Sequence, residues 1–233
     1  MASKDVTFPS KNAAGEGRGV LFGEPQVTPR GLVVVHAWWG MNEQIKAEGA
    51  RFAGDGRFTV LVVDMYRGKV ATDYETAGHY MGGLDWEGAL QDVSGAAGYL
   101  KSIGCVKVGA TGFCMGGAVT FAAAARCPEV DAAAPFYGIP RPDLADLTTI
   151  RVPVQGHFGE LDDVVGLSSP SDYNPLNERL LAAGVPFQLY TYPGGHAFAN
   201  SDSPNYNREA GDLAFGRLIE FMTKHLGQQQ SKC

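Results

Sequence analysis

The stretch that decides the fold is Val106-Lys-Val-Gly-Ala-Thr-Gly112-Phe-Cys114-Met-Gly116-Gly-Ala-Val-Thr-Phe-Ala-Ala-Ala-Ala-Arg126. Residues 106–111 form a short apolar run, typical of a buried strand, and the alanine-rich residues 116–126 are typical of a helix. Between them, glycines flank a cysteine in the pattern Gly-x-Cys-x-Gly, which allows the backbone to turn sharply. The stretch predicts a strand–turn–helix unit that presents the thiol of Cys114 at the turn.

The alternation of strand and helix continues on both sides of this unit. Short apolar runs predict further buried strands, and apolar residues at helical spacing predict the helices between them. The predicted strands are 17–23, 31–37, 58–64, 106–111, 131–137, 152–158 and 187–192, and the predicted helices are 45–53, 74–81, 86–103, 116–126, 174–183 and 208–226. This order predicts an α/β fold with a mostly parallel central sheet and helices on both faces. No linker, charge block or repeat interrupts it, so residues 1–233 are predicted to form a single domain.

The composition argues against several classes of protein. The chain has 233 residues, of which 45% are hydrophobic and 19% charged, so it can bury a core. Its net charge of −6, without any basic run, argues against a nucleic-acid or membrane partner. No apolar stretch approaches the roughly 18 residues of a membrane helix, and residues 1–25 lack the apolar segment of a signal peptide. Four cysteines without paired spacing indicate reduced thiols and a cytoplasmic protein, with Cys233 in a frayed tail.

Cys114 is the predicted nucleophile. The helix that begins after it directs N–H groups and the positive end of its dipole at the sulfur, which favours the thiolate. The backbone N–H of Met115 is then in position to stabilise an oxyanion. The competing interpretation is a buried structural cysteine, because free cysteines are often buried. The glycine-flanked turn favours the nucleophile.

A cysteine nucleophile needs a base, and the base needs an acid to orient it. Of the five histidines, His196 lies in a glycine-rich loop, Pro193-Gly-Gly-His-Ala-Phe198, directly after the last predicted strand. The preceding predicted strand ends in Gly159-Glu-Leu-Asp-Asp163, so Glu160, Asp162 and Asp163 are the candidate acids. Spacing alone does not separate Asp162 from Asp163.

These motifs resemble the dienelactone hydrolase family, α/β hydrolases with a Cys-Asp-His triad. The resemblance covers nearly the whole chain and rests on HAWWGMN at 36–42, VDMYRG at 63–68, GFCMGG at 112–117, FYG at 136–138, HFGELD at 157–162 and YPGGHAFANS at 192–201. It implies the α/β-hydrolase fold, with Cys114 as nucleophile, His196 as base and Asp162 as acid. The family pattern Gly-x-x-Asp matches Asp162 and not Asp163.

The resemblance also implies an oxyanion site and a set of substrate contacts. The oxyanion would be held by the backbone N–H groups of Trp38 and Met115. The expected substrate contacts are Trp39, Arg67, Tyr137 and Phe198.

The chain departs from the family pattern at two places. The family's first loop typically reads Gln-Glu-Ile-Phe-Gly, but here Ala37 stands where the glutamate beside the resting thiol would be. Founding members recognise a substrate carboxylate with arginines, but Asn200 and no arginine follows His196 in this motif. Arg67 and Arg208 are the possible substitutes. Dienelactone itself is therefore not assured as a substrate.

The expected function is hydrolysis of small esters or lactones through a thioester on Cys114, with no metal or organic cofactor. The partner is a small molecule, and the chain is expected to be a monomer or homodimer. A glutamine amidotransferase would need a glutamate two residues after its histidine, where this chain has Phe198. The alternative from another class is a non-catalytic or redox-sensing protein with Cys114 as an oxidisable thiol.

Overall fold

The computed structural model describes residues 3–54 and 57–227. Eight strands form a single sheet. They are β1 (Ser3–Phe8), β2 (Gly17–Phe22), β3 (Arg30–Val35), β4 (Thr59–Val63), β5 (Lys107–Phe113), β6 (Ala132–Phe136), β7 (Val154–Gly159) and β8 (Phe187–Tyr192). The expectation for Cys233 lies outside the described residues.

The strand order is β1-β2-β4-β3-β5-β6-β7-β8. The strands from β4 to β8 along this order run parallel, while β2 is antiparallel to both of its neighbours. The helices are α1 (Glu43–Ala53), α2 (Tyr74–Gly82), α3 (Trp86–Ser102), α4 (Met115–Arg126), α5 (Pro170–Ala182) and α6 (Arg208–Leu226), with a short 3-10 helix at Leu147–Thr149. The predicted α/β architecture with a mostly parallel sheet is confirmed.

The sheet separates two apolar cores, because successive side chains of a strand point to opposite faces. In β3, Val33 and Val35 belong to one core, and Leu32 and Val34 belong to the other. The first core packs against α3, α4 and α5, and the second packs against α1 and α6. Both faces of the central strands are therefore covered, which explains why these strands are continuously apolar in sequence.

The structure differs from the predicted elements mainly at two places. Strand β1 was not predicted, because it lies at the sheet edge, and its short sequence alternates exposed and buried residues without an apolar run. Helix α5 begins at Pro170, four residues before the predicted start at residue 174. The earlier start follows from a capping box between Ser169 and Asp172 and from Pro170 in the first turn. Within the described residues, no helix is both long and apolar enough to cross a membrane.

Candidate active site

The turn between β5 and α4 holds Cys114 in a strained conformation. Cys114 has φ 56° and ψ −119°, a region that residues other than glycine rarely adopt. Its N–H donates to the carbonyl of Phe136 at 3.0 Å, which ties the turn to β6. A Cβ atom at Gly116 would collide with the backbone carbonyls of Val35 and His36. The glycine therefore permits α4 to approach β3 closely, and the strained turn is of the kind that clusters at functional sites.

Cys114, His196 and Asp162 form a continuous chain of contacts. The Nε2 atom of His196 lies 3.1 Å from the Sγ atom of Cys114. The Nδ1 atom of His196 lies 2.9 Å from the Oδ2 atom of Asp162. Asp162 is buried and also accepts the N–H of Val164 at 3.0 Å, whereas Asp163 is exposed. The structure brings together the three residues that the sequence resemblance had named, and it separates the two aspartates that spacing could not.

The parallel sheet explains this convergence. Asp162 follows β7 and His196 follows β8, so both lie beyond the carboxyl ends of neighbouring strands, on the same side as Cys114 after β5. In open parallel sheets this edge is where ligands bind. The loop that carries His196 is held by Asn205, whose amide donates to the His196 carbonyl at 3.0 Å. The histidine is therefore presented by an anchored loop.

Ser168 is a neighbour of the imidazole that the sequence analysis missed. Its Oγ atom lies 3.0 Å from the Nδ1 atom of His196, beside the Asp162 carboxylate. In sequence, Ser168 belongs to a polar run before α5, where serines are expected as helix caps. No motif marks it, and only the folded chain brings it to His196.

The electrostatics of the site favour a protonated His196. Burial by itself lowers the pKa of the imidazole, but hydrogen bonds to Asp162 and Cys114, together with their charges, raise the pKa to about 10. The nearby carboxylate and sulfur thus more than compensate for desolvation. An imidazolium 3.1 Å from the sulfur would in turn stabilise a thiolate.

Two backbone N–H groups from different elements are the candidates for an oxyanion site. Met115 is the first residue of α4, where N–H groups have no partner within the helix. Trp38 lies in the loop after β3, and its N–H has no acceptor in the part of the chain that the structure describes. Trp38 and Cys114 line the same pocket. The arrangement can bind a developing negative charge.

The pocket beside Cys114 is small and apolar, with a volume of about 40 Å³. Ala37, Trp39 and Tyr137 line it together with Cys114 and His196, and neither lysine nor arginine is among its described lining residues. The rings of Trp38 and Trp39, which line the pocket, cluster with the ring of Tyr74, with centroids 5.2–5.9 Å apart. The cluster extends an aromatic surface from the pocket, because Tyr74 is largely exposed.

Two expected substrate contacts lie elsewhere, and their assignment is corrected. Arg67 does not line the Cys114 pocket, and its guanidinium binds the buried carboxylate of Asp92 through two hydrogen bonds of 2.8 and 2.9 Å. Phe198 is fully buried and packs against Tyr137 and Tyr192 in the core. Motif membership did not reveal these roles, because they depend on partners distant in sequence.

A half-buried carboxyl, that of Glu48 on α1, was not anticipated. Burial raises the pKa of Glu48 to about 7 against the opposing charge of Arg51, whose guanidinium lies 4.0 Å away. Gln44, one turn earlier on α1, lines the Cys114 pocket and donates to Glu48 at 3.4 Å. Glu48 is thus connected to the pocket through Gln44 on α1.

The architecture and the strained cysteine turn define an α/β hydrolase. The dienelactone hydrolase family model matches residues 18–226. The chain is 30% identical over 210 residues to "Protein usf" of Aquifex pyrophilus, covering 83% of this chain and 89% of that protein. It is 27% identical over 235 residues to carboxymethylenebutenolidase 1 of Cupriavidus pinatubonensis, covering 95% and 97%.

Among solved structures, the chain is similar to a dienelactone hydrolase-like promiscuous phosphotriesterase from metagenomic libraries. The TM-score is 0.76 at 20% identity, and the match covers 97% of this chain and 99% of the other. This likeness concerns the fold. The family match shows that the chain belongs to the dienelactone hydrolase family, and it is accordingly an ester or lactone hydrolase.

Proposed function

We propose that the protein hydrolyses small, uncharged esters or lactones through a thioester on Cys114, with His196 and Asp162 completing the triad. The observation that carries this proposal is the unbroken path from Cys114 Sγ to His196 Nε2 at 3.1 Å and from His196 Nδ1 to Asp162 Oδ2 at 2.9 Å. Nucleophile, base and orienting acid are each within hydrogen-bond reach of the next.

The reaction proceeds in two halves. The thiolate of Cys114 attacks the substrate carbonyl carbon, and the N–H groups of Trp38 and Met115 stabilise the resulting oxyanion. The tetrahedral intermediate collapses as the imidazolium of His196 gives its Nε2 proton to the leaving alkoxide, which leaves a thioester. His196 then takes a proton from water, the hydroxide attacks the thioester, and the acid departs as the thiolate re-forms. No metal or organic cofactor enters these steps.

The pocket supports an uncharged substrate. A substrate carboxylate is ordinarily recognised by arginine as a bidentate partner, and the described lining carries neither arginine nor lysine. The buried hydroxyl of Tyr137 has no hydrogen-bond partner among residues 3–54 and 57–227, although Tyr137 lines the pocket. We assign it to a polar atom of the substrate, because an unpaired buried hydroxyl is costly.

We also place the protein in the cytoplasm. The described cysteines Cys105, Cys114 and Cys127 are all free thiols, as is usual in a reducing compartment.

Turnover of p-nitrophenyl esters and simple lactones tests the proposal when it is measured together with thermal melting. Cys114→Ala is expected to abolish turnover while the protein still melts cooperatively, because the substitution removes a single sulfur atom beside the pocket. Asp162→Asn is expected to lower kcat on the order of 10⁴-fold, because an amide cannot hold the required tautomer of His196. Asp163→Asn is the matched control and should leave kcat unchanged, since Asp163 is exposed.

Retained turnover in Cys114→Ala would reject the nucleophile. Equal losses in the two asparagine variants would reject Asp162 as the orienting acid. A native protein whose thiol oxidises readily but that cleaves no ester or lactone would favour the redox-sensing alternative.

A further inference from the structure

His36 lies at the end of β3, fully buried, with both ring nitrogens in hydrogen bonds. Its Nδ1 atom lies 2.6 Å from the carbonyl oxygen of Ala37. Its Nε2 atom lies 3.1 Å from the backbone nitrogen of Met65. The mechanism proposed above uses neither contact.

The two contacts determine the tautomer of His36. A backbone N–H can only donate, so the Nε2 atom facing Met65 must be the unprotonated acceptor. The proton therefore resides on Nδ1 and is donated to the Ala37 carbonyl. Burial lowers the pKa of His36, outweighing the opposite influences of the Ala37 carbonyl and of Asp64, so the ring stays neutral.

The Ala37 carbonyl belongs to the same peptide as the Trp38 N–H. In a planar trans peptide these two groups point in opposite directions. The bond from His36 fixes the direction of the carbonyl, and the Trp38 N–H therefore points to the opposite side of the peptide. Trp38 and Cys114 line the same pocket. The N–H of Gly40 donates to the same carbonyl at 3.2 Å and closes the turn.

The Nε2 side of the His36 imidazole is held by the loop after β4, which contains Met65. Asp64 is buried and accepts the backbone N–H groups of Tyr66, at 3.1 Å, and of Gly68. These bonds shape the loop whose Met65 N–H fixes His36. The ring of Tyr66 also packs against the imidazole of His36, with the two ring centroids 4.9 Å apart. Two neighbouring strand ends are thus coupled through one side chain.

We infer that His36 is a positioning residue that orients the Ala37–Trp38 peptide as an oxyanion donor. The inference rests on the proposed function, since it assigns to His36 a role in the same oxyanion site. His36 touches neither the substrate nor the reacting atoms, and it acts through the peptide that it holds.

Two substitutions of His36 distinguish the hydrogen bond to the Ala37 carbonyl from the hydrogen bond to the Met65 N–H. In His36→Asn the side-chain amide nitrogen can replace Nδ1 as donor to the Ala37 carbonyl, while the acceptor for Met65 is lost. In His36→Gln the longer side chain can replace Nε2 as acceptor for Met65, while the donor to Ala37 is lost. A purely structural role predicts similar effects for both variants.

The measurements are kcat and KM for a p-nitrophenyl ester, thermal melting, and the rate at which iodoacetamide alkylates Cys114. We expect His36→Gln to lose roughly 100-fold in kcat, as small misplacements of catalytic groups do, with little change in KM. We expect His36→Asn to retain kcat within a few-fold. Alkylation should be unchanged in both variants, because it forms no oxyanion.

Equal kcat for the two variants, or a parallel loss of kcat and alkylation, would overturn the role of His36. A native protein without turnover toward any ester or lactone would instead reject the hydrolase mechanism and this inference with it. Nitrogen-15 NMR of the native protein tests the bond independently of any variant. A proton on Nδ1 of His36 supports the inference, and a proton on Nε2 overturns it.

Discussion

The side chain at position 37 brings no charge to the pocket that contains the thiol. Ala37 lines the pocket together with Cys114, and it stands where the family carries a glutamate. Two groups with positive character face the sulfur, the N-terminus of α4 and the imidazole of His196, whose pKa is raised to about 10. Both favour negative charge at this position.

Alkylation of Cys114 by iodoacetamide against pH tests this arrangement. We expect native Cys114 to be alkylated readily near neutral pH, because the positive end of the α4 dipole and the His196 imidazole, whose pKa is raised, face the sulfur. Ala37→Glu should slow the reaction near neutral pH, because a neighbouring carboxylate opposes the thiolate. Ala37→Gln has nearly the same shape without the charge and should behave like the native protein.

The reaction is followed on the peptide that contains Cys114, with Cys114→Ala as the blank for other thiols. Burial raises the pKa of Cys105 to about 11 and that of Cys127 to about 12, so these cysteines should react slowly. A native rate that rises only near pH 8.5, or equal rates in the glutamate and glutamine variants, would show that position 37 does not control the thiol.

At the scale of elements, the site depends on how closely α4 approaches β3. Gly116 lies in the first turn of α4, and its missing side chain leaves room for the carbonyls of Val35 and His36. The obstacle to a larger residue is backbone, which cannot rotate away as a side chain can. The same contact holds together the cysteine turn and the strand end that carries the oxyanion loop.

Gly116→Ala should therefore destabilise the protein by about 1–3 kcal/mol, the usual cost of overpacking, and should lower turnover as α4 shifts. Gly98→Ala on α3 is the matched control. It adds the same methyl group inside a helix, where nothing lies within 4 Å of the new Cβ, and should stabilise by about 0.5–1 kcal/mol. Urea unfolding measures both; a neutral Gly116→Ala would mean that α4 and β3 can separate without cost.

At the scale of the whole molecule, Asp92 joins three segments. This buried carboxylate on α3 accepts two hydrogen bonds from Arg67 after β4, one from Ser10 at 2.7 Å and one from Asn12 at 3.0 Å, both in the β1–β2 connection. The cluster fastens the antiparallel edge of the sheet to the helical layer. The guanidinium of Arg67 therefore has a structural role.

Arg67→Met should lower the free energy of unfolding by about 3–5 kcal/mol, because it leaves a buried carboxylate without its cation. Turnover of an uncharged ester by the folded fraction should be unchanged. Arg208→Met is the control, since Arg208 is 86% exposed and its loss should change stability little. A stable Arg67→Met variant that loses turnover would restore Arg67 as a substrate contact.

The sequence by itself determined the alternating elements, the strained turn at Cys114 and the loop of His196. Local sequence patterns predict those features: apolar runs of strand length, apolar residues at helical spacing, and glycines on either side of a reactive residue. Parallel strands bring their carboxyl ends to one edge, so the fold class places Cys114, His196 and the carboxylates at 160, 162 and 163 on that edge. The choice of Asp162 among them came from the family resemblance.

Tertiary structure alone decided the partners of individual side chains. It placed Arg67 on Asp92, brought Ser168 to His196 and paired His36 with the backbone N–H of Met65. These contacts join residues that are distant in sequence, and each is selected by burial, because a polar group removed from water must find a partner wherever the packed chain offers one. Local sequence patterns therefore do not predict which partner a buried polar group finds, because the partner depends on how the whole chain packs.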